Sequence, residues 1–228
     1  MVKSGKEFLD TQITSLNFIQ DSLHSERLKG NTIFPINYNM YALRAITETT
    51  WPPRVVIIGQ DPYASPIATG LAFGVRQEDN IPPSLQVIFK AFKNDYGDFD
   101  ENKTKTLEHL PSQGVMLLNS ALTIRGKEVN SHVRLWRPLI TNLIIELNKV
   151  EEPIIFVLLG SIAKELEEFI NIAKHHIIKM PHPAFEAYKK IKITETQPFS
   201  QKKLFKRIDN LISQNERHRK EKISWVFK

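Results

Sequence analysis

Four places in the chain hold side chains able to do chemistry, and each follows a short apolar run. Gln60, Asp61, Pro62 and Tyr63 follow the first run, Asn119 and Ser120 end the second, Gly160 and Ser161 the third, and Pro181, His182 and Pro183 the fourth. Together they supply a carboxylate, a carboxamide, a hydroxyl and an imidazole. A carboxylate and an imidazole can stabilise opposite charges on a breaking bond, and a carboxamide can read the donor and acceptor edge of a planar ligand. Taken singly, each residue has a structural explanation. Asp61 before Pro62 suits a turn, Asn119 a bend out of a strand, Ser161 a helix cap, and His182 a packed loop. Their common position after the runs is what joins them.

Several other chemistries are excluded by inventory. With no cysteine in 228 residues, there is no thiolate zinc site, iron-sulfur cluster, cysteine nucleophile or disulfide. Neither GxGxxG nor GxxxxGK[ST] occurs, and the spacing of Gly70 and Gly74 is too loose to cradle a pyrophosphate. Zinc deaminase chemistry needs a PCxxC string. Ser120 and Ser161 lack the GxSxG elbow of a serine hydrolase.

The elements that must position these groups are legible in the hydrophobic pattern. Arg54 to Gly59, Gly114 to Asn119, Pro153 to Gly160 and His175 to Met180 are of strand length, rich in Val, Ile and Leu, and without polar alternation, as buried parallel strands are. Between them, Leu85, Ile88, Phe89 and Phe92, then Trp136, Leu139, Ile140, Leu143 and Leu147, then Ile162, Leu166, Phe169 and Ile170, recur three or four apart. Leu204, Ile208, Leu211 and Ile212 repeat that helical pattern after the last strand. The alternation predicts an α/β three-layer sandwich with a central four-stranded, mostly parallel sheet flanked by helices. One or two further helices precede residue 50, and the segment from Tyr96 to Lys105 reads as a flexible loop. Residues 1–228 read as a single domain. In such sheets, ligands sit at the carboxyl ends of the strands, where the four polar clusters fall.

Composition sets the setting. The chain is 41% hydrophobic and 25% charged, enough for a substantial core. No run of 18 apolar residues occurs, and Lys3, Lys6, Glu7 and Asp10 interrupt the N-terminus, so a soluble, cytoplasmic protein without a membrane span is expected. Residues 201–228 hold nine basic residues against three acidic ones, an excess equal to the whole net charge of +6. Such a tail is compatible with a polyanion partner or with plain solvated surface.

The strings GQDPY (59–63), GLAF (70–73), PPSL (82–85), GVMLLNSALTIR (114–125) and HP (182–183) resemble those of family 1 uracil-DNA glycosylases, in order and at similar spacing. The resemblance extends from IFP at Ile33 to ISW ending at Trp225. It implies an enzyme that flips uracil out of DNA and hydrolyses its N-glycosidic bond, starting base excision repair, without metal or organic cofactor. Asp61 resembles the catalytic aspartate that favours the cationic sugar and positions water, and His182 the neutral donor to uracil O2. Gln60, Tyr63, Phe73 and Asn119 would form the uracil site. Asn119 would read N3–H and O4, Tyr63 exclude a thymine methyl, and Phe73 stack on the base. Pro62, Pro83, Ser84, His132, Ser161, Pro183 and Phe185 would contact the DNA strand. Implied partners are single- or double-stranded uracil-containing DNA and a uracil-glycosylase inhibitor protein, with the enzyme itself a monomer.

One string departs from the family pattern. Where the family commonly reads HPSPLS, with a leucine that wedges into the base stack, this chain reads HPAFEA from His182 to Ala187. Ala184 lacks a hydroxyl, and Glu186 stands at the leucine position. Phe185 is then the best apolar wedge, with Tyr188 next. The departure leaves open a weakly catalytic or non-catalytic DNA-binding scaffold of the same fold and, more remotely, a nucleoside hydrolase.

Overall fold

A computed structural model describes residues 2–188, 198–215 and 221–228 of the chain. Its central sheet is made of β1 (Val55–Gly59), β2 (Val115–Asn119), β3 (Ile155–Leu159) and β4 (His176–Met180), in the order β2-β1-β3-β4 and parallel throughout. The first three strands are buried at every residue, which is why they read as unbroken apolar runs. β4 differs from the sequence reading. It pairs on one side only, and its last three residues run buried Ile178, exposed Lys179 and buried Met180, the alternation of a strand covered on one face, while His176 at its start is exposed.

Register places the chemistry. Gly59 pairs with Asn119, and Leu159 with Met180, so the four polar clusters leave the sheet at one edge. Helices α1 (Ile13–Leu28), α2 (Pro83–Tyr96), α3 (Val133–Leu147) and α4 (Leu204–Gln214) are the long ones. α2 buries Leu85, Ile88, Phe89 and Phe92, and α3 buries Trp136, Leu139, Ile140, Leu143 and Leu147, the stripes their spacing predicts. The third periodic segment is only one α-turn, Ser161–Lys164, tightening into a 3₁₀ stretch, Glu165–Phe169.

The N-terminal region holds more structure than expected: besides α1 there are short helices at Gly5–Asp10, Tyr38–Tyr41 and Arg44–Glu48. Helices of one or two turns are too short to display a periodic stripe, so they left no pattern to read. Ile33–Phe34 also pairs antiparallel with Ile124–Arg125. The segment expected to be a loop, Tyr96 to Lys105, contains the helix Glu101–Thr104, whose N-terminus Asp100 caps by accepting from Lys103 N at 3.0 Å. Asp100 N also donates to Phe227 O at 2.8 Å, and Thr104 and Lys105 are buried. Contact with the distant C-terminus orders this segment, which no local signal could reveal.

The C-terminal residues are likewise not plain solvated tail. Ile223, Trp225 and Val226 are buried, with the Trp225 ring 4.9 Å from Phe205 and the Phe205 ring 4.2 Å from Phe92. The basic residues Arg217, Arg219 and Lys220 lie outside the described residues. One cluster of buried side chains runs from Phe8 to Val226. Among the described residues no helix is long and apolar enough to cross a membrane.

Candidate active site

The exits of β1 and β2 are tied together. Ser120 N and Ser120 Oγ donate to Gly59 O at 3.0 and 2.9 Å, and Ala121 N donates to Gln60 O at 3.1 Å. Ser120 is therefore a structural hydroxyl. Gly59 admits no side chain, because a Cβ there would lie 2.6 Å from Asn119 Oδ1 and 3.2 Å from the Phe73 ring. The glycine lets the amide and the ring approach the strand end.

Asp61 follows at once. Its Oδ2 accepts from Asn130 N at 2.9 Å and from Gln60 Nε2 at 3.3 Å, and the same Gln60 nitrogen donates to Asn130 Oδ1 at 2.8 Å. Oδ1 is buried and has no hydrogen-bond partner among the described residues. Burial pushes the carboxyl pKa above its ordinary value, and the hydrogen bonds from Asn130 and Gln60 only partly oppose this. A buried carboxylate oxygen without a protein partner is costly to folding and is the kind of group a reaction uses.

His182 faces it from the loop after β4. Its Nδ1 accepts from Ala184 N at 3.2 Å, capping the short helix Pro183–Ala187. That bond leaves the proton on Nε2. Burial lowers the imidazole pKa from 6.5 to about 4, so at neutral pH the ring is an uncharged N–H donor. Gly160, with φ of +88°, leaves room for it: a Cβ there would stand 3.2 Å from His182 Cβ.

Asp61, Tyr63, Leu71, Phe73, Asn119 and His182 line a cavity of about 110 Å³, at whose mouth stand Pro62 and Ser84. Phe73 is held with φ of +68°, its ring centroid 5.6 Å from that of His182. The Tyr63 hydroxyl donates to Phe73 O at 3.2 Å, and burial raises its pKa. The cavity shares Asp61, Pro62, Tyr63, Ser84 and His182 with an open groove of about 430 Å³, whose walls include Pro83, Val129, Ala184, Phe185 and Tyr188.

All six residues expected at the catalytic and base-binding positions thus meet at one edge, with Gln60 on the groove side. The expected strand contacts divide. Pro62, Pro83, Ser84 and Phe185 line the groove, and Phe185 is 46% exposed. Ser161 is exposed at the turn after β3 but lines neither cavity. Pro183 is buried and starts its helix. His132 is also buried, with Nδ1 2.8 Å from Thr123 Oγ1 and Nε2 3.0 Å from Glu26 Oε2. Both ring nitrogens are spent inside the protein, so the imidazole is neither a strand contact nor a surface histidine.

Glu186, at the position where the family commonly has leucine, is tied elsewhere in the fold. Its carboxylate accepts from Ser200 N at 3.0 Å and Ser200 Oγ at 2.7 Å. It caps the turn Phe199–Gln201 and points away from the groove, leaving Phe185 and Tyr188 exposed there. Arg125 and Glu26 are what sequence reasoning missed as parts of the site. Asn130, in the stretch 130–132 that resembles the family's strand-gripping loops, instead turns with φ of +66° to hold Asp61. Among the described residues no three His, Asp or Glu side chains are placed to hold a metal ion.

A parallel α/β sheet that presents a carboxylate, a neutral imidazole donor, an amide and an aromatic ring around a small slot has the groups to hold and polarise a planar ligand. The comparisons narrow it further. The family model described as the Uracil DNA glycosylase superfamily matches residues 48–210, and the chain belongs to that family. It is 38% identical to the uracil-DNA glycosylase of Fusobacterium nucleatum over 185 residues, covering 78% of this chain and 80% of that one. It is 41% identical to that of Clostridioides difficile (70% and 71% covered) and 39% identical to that of Escherichia coli K12 (74% of each). In fold it is similar to the mimivirus uracil-DNA glycosylase, with a TM-score of 0.76 at 23% identity over 92% of this chain and 82% of that one. It is also similar to the Y322F form of the mimivirus enzyme solved in complex with UGI, with a TM-score of 0.78 at 24% identity over 97% and 87%.

Proposed function

We propose that the protein is a monofunctional uracil-DNA glycosylase that takes a flipped uracil into the 110 Å³ cavity and hydrolyses its N-glycosidic bond. The observation that carries this reading is the pairing of a buried Asp61 Oδ1, unpartnered among the described residues, with the neutral N–H of His182 across one small pocket. Cleavage of the bond between N1 and C1′ leaves the electron pair on the base and a cationic sugar. Asp61 favours the cation and aligns the water whose oxygen bonds to C1′, and the proton released goes to solvent or carboxylate. His182 donates from Nε2 to the base oxygen where the negative charge gathers. A neutral donor suits that task, since its proton stays on the imidazole while the charge is shared.

Selectivity rests on the pocket walls. The Asn119 carboxamide can accept from uracil N3–H and donate to O4, a pattern cytosine reverses. Tyr63, fixed by its bond to Phe73 O, occupies the space a thymine methyl would need, and Phe73 stacks on the ring. Outside, Phe185 on the groove wall serves as the wedge that replaces the extruded base, supported by its exposure and by the retreat of Glu186 to Ser200. Ser84 at the start of α2 and Ser161 after β3 supply hydroxyls to phosphates. Uracil-containing DNA, single- or double-stranded, is the substrate. A protein inhibitor of the UGI kind is an expected partner, and an intracellular monomer is the expected form.

The test is excision from a uracil-containing oligonucleotide with thymine and cytosine controls. The wild-type protein excises uracil alone. Asn119→Asp gains cytosine, and Tyr63→Ala gains thymine, each with slower uracil excision. Strict uracil specificity at full rate in both variants would remove these residues from the base site, and no excision by wild type would favour a binding scaffold.

A further inference from the structure

Helix α1 lies outside the family-matched residues 48–210, yet its last turn reaches the active-site loop. There Glu26 accepts from Arg125 Nη2 at 2.6 Å and Arg125 Nε at 2.9 Å, and its Oε2 stands 3.0 Å from His132 Nε2. The hydrogens follow one direction. The Glu26 carboxylate can only accept, so His132 Nε2–H donates to it, and the Thr123 hydroxyl, which accepts from Trp136 Nε1 at 2.7 Å, donates to His132 Nδ1 at 2.8 Å. Arg125 and His132 bracket the loop of residues 126–131, and a single carboxylate holds both ends. Inside it, Arg125 N donates to Ser131 Oγ at 2.9 Å, and Asn130 adopts its left-handed turn.

That loop supports Asp61. Both hydrogen bonds to Asp61 Oδ2 depend on it: one comes from Asn130 N, the other from a Gln60 amide that Asn130 Oδ1 orients. We propose that Glu26 is a positioning residue for Asp61, clamping Arg125 and His132 so that Asn130 aims the carboxylate at the reacting sugar. The Arg125 hydrogen bonds hold the Glu26 pKa at about 2, so the clamp is charged throughout the neutral range. Among the described residues the side-chain hydrogen bonds of Glu26 go to Arg125 and His132, neither of which lines the base pocket, so its effect on chemistry runs through the loop. Small misplacements of a catalytic group cost large factors in rate, on the order of a hundredfold for 1 Å.

The inference rests on Asp61 as the catalytic carboxylate, and a double-mutant cycle separates the two claims. Glu26→Gln is expected to lower kcat on uracil-DNA about tenfold or more, with KM within about twofold. In an Asp61→Asn background, which has no charged carboxylate to aim, the same change should lower the residual rate less than about twofold. Arg125→Lys, which keeps the charge but cannot engage both carboxylate oxygens, should show the same dependence with a loss of roughly threefold, and it carries the test if Glu26→Gln melts below the assay temperature. Equal losses in both backgrounds, or no loss in either, would overturn the role of Glu26. A near-normal rate in Asp61→Asn alone would instead overturn the reading of the site.

Discussion

At the carboxyl edge of the sheet, Asp61 keeps a buried oxygen with no hydrogen-bond partner among the described residues, and Phe73 and Asn130 hold left-handed backbone at φ of +68° and +66°. Beneath the C-terminus the chain behaves differently. Phe92, Phe205 and Trp225 pack ring against ring, and Trp225 Nε1 and the Tyr96 hydroxyl both donate to Asp209, at 2.9 and 2.6 Å. The first region holds polar groups and backbone in states that oppose folding, each on the order of 1 to 3 kcal/mol. The second contributes apolar burial and paired polar atoms. The difference separates what the molecule uses for chemistry from what keeps it folded, and substitutions in the two regions should fail in different assays.

The largest expected effect is on Asp61. Asp61→Asn keeps shape but removes the charge, so excision should fall by orders of magnitude while uracil-DNA binding survives. Because a desolvated carboxylate is removed, thermal melting should show no loss of stability. A near-normal rate, or a large drop in melting temperature, would break the contrast from the catalytic side. The other side is tested by Trp225→Ala, expected to cost roughly 3–5 kcal/mol in denaturant unfolding. Its single-turnover rate, measured well below its melting point, should stay near that of wild type.

Protonation sharpens the comparison on a smaller scale. His182 in the site and His175 before β4 are both lowered from 6.5 to about 4, mainly by burial, and each accepts a backbone N–H at Nδ1. Between those values the unfolded chain binds protons that the folded chain refuses. Stability from these groups is therefore complete above about 6.5 and falls as pH drops toward about 4. Asp61, whose pKa is raised, works in the opposite sense: its contribution is complete below 3.8 and is lost as pH rises through its folded value. His182→Gln and His175→Gln should each flatten the acid limb of melting against pH, by on the order of 1–3 kcal/mol across the window. Only His182→Gln should also slow excision, and equal slowing by His175→Gln would erase the distinction between the regions.

The smallest effect concerns the groove. A wedge matters only where a stack must be opened, at a cost of a few kcal/mol. Phe185→Ala should slow excision from double-stranded DNA several-fold more than from single strands and leave the melting temperature nearly unchanged, as its 46% exposure implies. Equal slowing on both substrates with a clear loss of stability would return Phe185 to the packed part of the molecule.

Much of this was legible in the chain itself. The four apolar runs place the sheet, because a strand buried on both faces must be apolar along its length, and β1, β2 and β3 are, up to the Asn119 that ends β2. The pocket residues follow because ligands gather at the carboxyl ends of parallel strands, and Asp61, Asn119 and His182 each sit just there. Tertiary structure alone decided the rest. The carboxylate of Glu186 went to Ser200, the imidazole of His132 went inward to Glu26 and Thr123, and Glu26 came 99 residues along the chain to hold Arg125. Periodicity records which face of an element is buried. It carries no record of which polar group across the chain will pair with which, since that choice depends on distances set only when the layers pack.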